Sequence, residues 1–438
     1  MDSTTILFQK SYKDILKEIQ SYMSTNFSNF NTFNKLAEEE QLKMYISKYI
    51  QDHKITIKQY GIEELKEKLY QDMAGFSFLT PYLYSKEVEE ININSWENIN
   101  VIFSNGEEKT LEEKFQSPSN ALDIVRKLLQ TSNMILDYSN PIARGHLLSA
   151  GNVRITAYCQ PVIDKEVGVI ASIRIVNPKQ LEIKDLIGNE TATLDMLNLL
   201  KNLIRYGISV CVSGATNSGK TTLLDSLLRT IPDEQRIFTI ENNVREFSLI
   251  KRNEEGKVIN RVANTVTKES ENPDERINQE DLLEYALTSN PDVIVVGEMK
   301  SAEAFSAQES ARTGHGVLTT IHANSCEATY RRMVTLCKLK YDMKDETLYD
   351  LVTEAFPIVV FTKQLEDKSR KIMEIAECVI KTETGERKIN TLYKYAIKTE
   401  GKSDKIIREF EKVNTISESL QKKLLENGIP INTLKSIL

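Results

Sequence analysis

The sequence predicts an α/β chain. A layered domain with a mainly parallel sheet occupies residues 191–363, preceded by an N-terminal helical bundle (1–75) and an α+β domain (76–178). Three observations predict it. From Leu194 to about Lys363 helical and strand patterns alternate, as they do when helices cover a sheet. Between Phe76 and Pro178 the texture shifts to short β-branched runs broken by turn residues. Before Gly75 the apolar residues keep helical spacing.

At 438 residues the chain exceeds the usual size of one hydrophobic core, so several domains are expected. Lys and Arg number 56 against 63 Asp and Glu, a formal net charge of −7, which gives no electrostatic footprint for non-specific nucleic-acid binding. Cys159, Cys211, Cys326, Cys337 and Cys378 form no C-x-x-C pair, so neither a zinc site nor a disulfide framework is indicated and reduced thiols in a cytosol are expected. The N-terminus, MDSTTILFQKSYKD, lacks a basic and then apolar leader, and no run of 18 apolar residues occurs. The expectation is a protein neither secreted by that route nor membrane-spanning.

In chain order, Ile15, Ile19 and Met23, then Leu42, Tyr45, Ile46 and Tyr49, then a segment from Ile62 to Gly75 fit three amphipathic helices. The strand runs EININ (90–94), NVIF (100–103), VRITAY (153–158) and VGVIASIRIV (167–176) follow, with a helix over 120–131 carrying Leu122, Val125, Leu128 and Leu129 on one face. Asn177-Pro178 closes this domain, and the polar segment 179–190 reads as a linker. In the α/β domain a helix from Leu194 to Tyr206 leads into an apolar strand, and a helix to about Thr230 follows it. Next come the strand RIFTIE (236–241), a polar excursion over 251–281 with strand character near Val258 to Val262, and a helix from Glu280 to Leu287. The strand DVIVVGE (292–298), a helix over 302–312 and the strand VLTTIH (317–322) complete it. Residues 364–438 read as antiparallel strands with a turn at Thr384-Gly385 and a closing helix over 417–427.

The chemistry centres on Ile208 to Thr222, ISVCVSGATNSGKTT: a buried strand, a tight glycine loop and a helix start. It matches G-x-x-x-x-G-K-[ST] at Gly214, Gly219, Lys220 and Thr221. Glycines let the backbone curl round an anion with N–H groups inward, and the helix adds its positive end. Lys220 supplies an ammonium for the β- and γ-phosphates, and the Thr221 hydroxyl can ligate Mg²⁺.

Hydrolysis needs further groups, and the strand ends offer them. Glu298 ends an apolar run at the carboxyl edge of the sheet, where it could polarise water or hold Mg²⁺ through water. Glu241 ends another strand and Glu246 lies just beyond; either is a candidate for the metal's outer shell, and Glu246 reads equally as a solvated charge. His315 and His322 bracket one strand, His322 at the carboxyl edge within reach of a γ-phosphate and His315 at the opposite edge. No N-K-x-D run occurs, which favours ATP over GTP.

The ordered blocks GATNSGKTT, RIFTIENN, PDVIVVGEM and TGHGVLTTIHANS resemble the secretion ATPases of the type II and type IV superfamily. Most of all they resemble the branch that powers Tad-type pili, with the type IV secretion ring ATPases nearest to it. LYSKEVEEININSWENINVIF is similar to that family's N-terminal domain signature, so the likeness runs from about Leu69 to Lys363. It implies a RecA-like P-loop ATPase domain, Mg²⁺ with ATP as substrate, and a homo-hexameric ring peripheral to the cytoplasmic face of the membrane. Its partners would be the cytoplasmic domains of integral membrane pilus or secretion platform proteins, and no nucleic acid is expected. By motif, Gly214, Ala215, Thr216, Asn217, Ser218, Gly219, Lys220, Thr221 and Thr222 correspond to Walker A, and Glu298 to the Walker B glutamate. Glu241 and Glu246 correspond to the acidic box, and His315 and His322 delimit the histidine box. Arg154 and Arg174 resemble the N-terminal-domain arginines that reach the phosphates, and Arg332 the arginine after the histidine box.

The chain departs from the family in having Glu241-Asn242 where Glu-Asp is usual, and in lacking a four-cysteine zinc module. Two other readings compete with a hydrolysing motor. An ATP-gated scaffold ring with little turnover is kept open by Asn242, and a P-loop nucleic-acid motor is disfavoured by the negative charge.

Overall fold

The computed structural model describes residues 12, 15, 18–19, 35–53, 55, 61–73, 76–85, 87–130, 132, 134–147, 153–175, 180–243, 245–268, 272–380, 386–399 and 406–438. Met23, Gly75, the Asn177-Pro178 boundary and the turn at Thr384-Gly385 lie outside the described residues. The chain forms two compact units, Met1–Pro178 and Lys179–Leu438.

In the first unit, Tyr12, Ile15, Glu18 and Ile19 are helical, and helices follow at Lys35–Asp52 and Ile62–Met73. Their apolar stripes meet: Ile15, Ile19, Ile46, Ile50, Leu65 and Leu69 are buried together. The rest of the unit is a six-stranded antiparallel sheet of β1 (Val88–Ser95), β2 (Asn98–Phe103), β3 (Glu108–Thr110), β4 (Ile142–Leu147), β5 (Val153–Tyr158) and β6 (Ile170–Ile175), in the order β3-β2-β1-β6-β5-β4. One face carries Ile91, Ile93, Val101, Ile155 and Ile173 against Val125, Leu128 and Leu129 of the helix Pro118–Gln130. The other face is polar, as period-two alternation requires. The sequence missed β3 and β4: EKT is short and exposed, and IARGHL is interrupted by Arg144 and Gly145.

The second unit is built on one nine-stranded sheet. Its strands are β7 (Val210–Gly214), β8 (Arg236–Glu241), β9 (Arg261–Val266), β10 (Val293–Met299), β11 (Gly316–Ile321), β12 (Ile358–Gln364), β13 (Arg370–Ile380), β14 (Arg387–Thr399) and β15 (Ile406–Lys412). The order is β15-β14-β13-β12-β7-β11-β10-β8-β9. From β12 to β9 every neighbouring pair is parallel. The last strands therefore continue the α/β sheet through the antiparallel β12–β13 pair.

Alternate residues of the central strands fill two cores. Val210, Val212, Val295, Leu318 and Val360 face the side covered by the helix Leu194–Arg205 and the cradle helix Lys220–Leu228. Cys211, Ile294, Val296, Val317 and Val359 face the helices Glu303–Arg312, Cys326–Cys337 and Asp345–Ala355. Burial on both faces explains why these strands read as near-continuous apolar runs. The strand in the polar excursion falls at Arg261–Val266 and pairs beside β8 at the sheet edge. Among the described residues, no helix is long and apolar enough to cross a membrane.

Candidate functional site: the carboxyl edge of the parallel sheet

Because β7, β11, β10 and β8 run parallel, their carboxyl ends share one edge. That edge collects the glycine loop after β7, His322 after β11, Glu298 in β10 and Glu241 at the end of β8.

Three backbone positions make the loop. Gly214, Asn217 and Gly219 have φ of +156°, +62° and +87°, and the helix Lys220–Leu228 begins directly after Gly219. A Cβ at Gly214 would stand 2.4 Å from both Ser218 Oγ and the Thr362 carbonyl, so only glycine fits. Ala215, Thr216 and Asn217 form an exposed crest, Ser218 and Lys220 are buried, and Thr221 and Thr222 are half-buried in the first helical turn. Lys220 Nζ donates to the Ala215 carbonyl at 2.8 Å, which folds the ammonium back over the loop. Ser218 Oγ lies 3.1 Å from Thr362 Oγ1, which in turn donates to the Ser213 carbonyl.

Glu298 sits at a break in strand register. Between Val296 and Met299 β10 has one residue more than β11, a bulge, and Thr320 Oγ1 donates to the Gly297 carbonyl within it. Bulges re-aim side chains, and this one presents the Glu298 carboxylate at the edge. Oε2 pairs with Lys300 Nζ at 2.7 Å, and Oε1 stands 2.8 Å from His322 Nε2. Although the imidazole is close, Oε1 is a buried acceptor without a hydrogen bond. The His322 ring also hydrogen-bonds the Gly214 backbone, and its pKa is lowered first by burial and then by the Lys220 charge, against the pull of Glu298. The ring is therefore neutral at neutral pH.

Glu241 is buried at the end of β8, and its carboxylate is spent on its own chain. Oε2 accepts the Glu246 and Phe247 N–H groups, and Oε1 accepts from Thr239 Oγ1 at 3.2 Å. Burial pushes its pKa up to about 7. Glu246 is half-buried in that loop. Asn242 and Asn243 accept from Thr267 Oγ1 at 2.9 and 3.0 Å, which fastens the loop to the end of β9. His315 lies at the far end of β11, 3.4 Å from Thr313 Oγ1. Arg332 is exposed on the helix Cys326–Cys337. In the first unit, Arg154 and Arg174 are direct cross-strand partners, and Glu90 faces Arg174 from the other side.

Sequence reasoning missed three residues here: Lys300, Thr362 and Arg370. Lys300 follows Glu298 by two positions, so strand alternation could have found it. Thr362 and Arg370 reach the loop only because β12 pairs with β7, a pairing without a local sequence signal.

The donor set fits Mg²⁺ arriving with a nucleotide. A hydroxyl at Thr221 and an orphaned carboxylate oxygen at Glu298 are hard oxygen donors, and Mg²⁺ completes its shell with phosphate oxygens and waters. Among the described residues, no cluster of three or more His, Cys, Asp or Glu could hold a resident metal ion.

A family model described as type II/IV secretion system protein matches residues 147–430. The chain belongs to that family. It is similar to an uncharacterized protein, MJ0900, of Methanocaldococcus jannaschii, at 27% identity over 333 residues. That match covers 75% of this chain and 57% of the relative, so the chain spans just over half of that protein's length. It is also similar to the type IV secretion system protein VirB11 of Bartonella quintana, at 25% identity over 304 residues, 61% of this chain and 82% of that one. Among solved structures it resembles the Legionella pneumophila ATPase DotB, with 21% identity, 80% and 82% coverage and a TM-score of 0.48.

Two predictions follow from the geometry. Gly214→Ala should cost about 2 kcal/mol or more in denaturant melts, because a Cβ there meets backbone as well as side chain. Gly188→Ala, in the helix Ile183–Gly188 with open space around it, is the control and should not destabilise. Glu241 has a folded pKa raised above its unfolded value, so its favourable contribution is complete below pH 4.5 and is lost as pH rises towards about 7. The melting temperature of the parent should therefore fall further between pH 5 and 8 than that of Glu241→Gln; parallel pH curves would contradict the burial argument.

Proposed function

We propose that the chain is an ATP-hydrolysing motor of a pilus or secretion machine, acting as a homo-hexameric ring at the cytoplasmic face of a membrane and docking on the cytoplasmic domains of integral platform proteins. The observation that carries this reading is the Glu298 carboxylate, aimed by a bulge at the edge that holds the Lys220 loop, with Oε1 buried and unsatisfied. Within the family, the blocks GATNSGKTT and TGHGVLTTIHANS favour the Tad-type pilus branch.

In this reading the loop N–H groups and Lys220 bind the β- and γ-phosphates, and the Thr221 hydroxyl would ligate Mg²⁺. Mg²⁺, when bound, would neutralise charge on the phosphate oxygens. Glu298 Oε1 accepts a hydrogen bond from the attacking water and orients it, while Lys300 holds the other oxygen. His322, beside Glu298 and the Lys220 loop, is the candidate group to respond to the γ-phosphate and its loss. Glu241 acts at one remove by fixing the loop that carries Glu246. Arg154, Arg174 and Arg332 are further candidates carried by the family resemblance alone, and His315, at the far end of β11 from this edge, is left out of the set.

The test is steady-state hydrolysis of Mg-ATP with the mass distribution recorded in the same buffer. Turnover should rise with a hexameric species. Lys220→Ala should lose nucleotide binding, and Glu298→Gln should bind ATP with kcat reduced at least about 100-fold. Parental kcat in Glu298→Gln removes it as the water-orienting carboxylate. Tight ATP binding with no turnover in any assembled state would replace the motor with a nucleotide-gated scaffold, the reading that Asn242 favours.

A further inference from the structure

The start of β13 runs alongside the phosphate loop although it lies about 150 residues further along the chain. Arg370 Nε donates to the Asn217 carbonyl at 3.0 Å. Its stem lies against Gly219, where an added Cβ would come within 3.2 Å of Arg370 Cδ. Asn217 and Gly219 are two of the loop's three positive-φ residues, so Arg370 grips the loop where it turns. Its base is firm. Lys371 is buried and donates Nζ to the Glu190 carbonyl at 2.7 Å, and the Ile372 N–H donates to the Thr191 carbonyl at 2.9 Å.

Peptide geometry gives this grip a consequence. A trans peptide is planar with its C=O and N–H antiparallel, so fixing the Asn217 carbonyl fixes the direction of the Ser218 N–H. That N–H is held internally only by a long bond to the Ala215 carbonyl, at 3.4 Å. It is a donor directed by Arg370 and weakly committed elsewhere. In a loop of alternating backbone signs such donors converge on an anion.

We propose that Arg370 is a positioning residue of the nucleotide site: by holding the Asn217 carbonyl it sets the Ser218 amide for an oxygen of the diphosphate common to ADP and ATP. This rests on the nucleotide-site reading given above. The same amide contact serves ground state and transition state alike, so its loss weakens binding without slowing the chemical step in proportion.

The experiment uses the full chain as wild type, Arg370→Ala, Arg370→Lys and Lys220→Ala. It measures Mg-ADP affinity by calorimetry, KM and kcat for Mg-ATP, and the melting temperature without nucleotide. Arg370→Ala should weaken ADP binding and raise KM by about 10- to 100-fold, the effect of losing one charge-assisted hydrogen bond, with kcat changed less than about threefold. Its nucleotide-free melting temperature should stay within about 2 °C of wild type. Arg370→Lys, which keeps a stem over Gly219 and a cationic donor, should recover part of the affinity. Parental ADP affinity in Arg370→Ala, with wild type binding and Lys220→Ala not binding, overturns the proposal and leaves the nucleotide site standing. A loss of affinity that comes with a lowered melting temperature and is not recovered by Arg370→Lys marks a structural role and also overturns it. Wild type that binds neither ADP nor ATP overturns the nucleotide-site reading itself.

Discussion

The carboxyl edge depends on the contact between β7 and β12 at Gly214. There the Thr362 carbonyl and the Ser218 hydroxyl occupy the space a side chain would need. Thr362 also bonds the Ser213 carbonyl, the last link of β7 before the loop. The loop therefore leaves the sheet from a clamped root. It is closed from below by Ser218 against Thr362 and from the side by Arg370 against Asn217. Anion binding by backbone amides needs this rigidity, since a loop that reorganises on binding spends interaction energy on ordering itself.

Charge at the edge is balanced around one carboxylate. Lys220 and Lys300 both depress the His322 pKa, Glu298 raises it, and burial settles the outcome in favour of the neutral ring.

The sequence made the parallel core legible because strands buried on both faces leave continuous apolar runs, as in DVIVVGE and VLTTIH. Gly214, Lys220, Glu298 and His322 were legible because each ends or follows such a run. What stayed hidden is non-local or irregular. The bulge that aims Glu298 is a register mismatch with β11, and no residue type announces it. Thr362 lies at the very end of the stretch read as the α/β domain and Arg370 in strands that read as a separate small sheet, because pairing between β12 and β7 leaves no mark in either segment. The excursion misled by three residues: Val258 to Val262 has strand composition, but pairing beside β8 begins at Arg261.

Glu241 and Glu298 show how far a strand-end carboxylate constrains function. Both end apolar runs at the same edge, and sequence spacing treats them alike. Glu241 turns inward, where both oxygens accept donors from its own chain. The segment it holds is fastened again at Asp225, a buried carboxylate of the cradle helix that pairs with Arg229 at 2.8 Å and accepts the Ser248 N–H. Burial raises the pKa of both acids, the mark of groups enclosed by structure. Glu298 differs in having one oxygen committed to Lys300 and the other beside the His322 ring without a hydrogen bond. Removing water from an acceptor without replacing its partner costs free energy in every folded molecule, so such an oxygen persists where a ligand or a water is to be bound. The division of labour follows from that difference: Glu241 and Asp225 sew the segment after β8 to the cradle helix, and Glu298 keeps one oxygen without a hydrogen bond at the sheet edge.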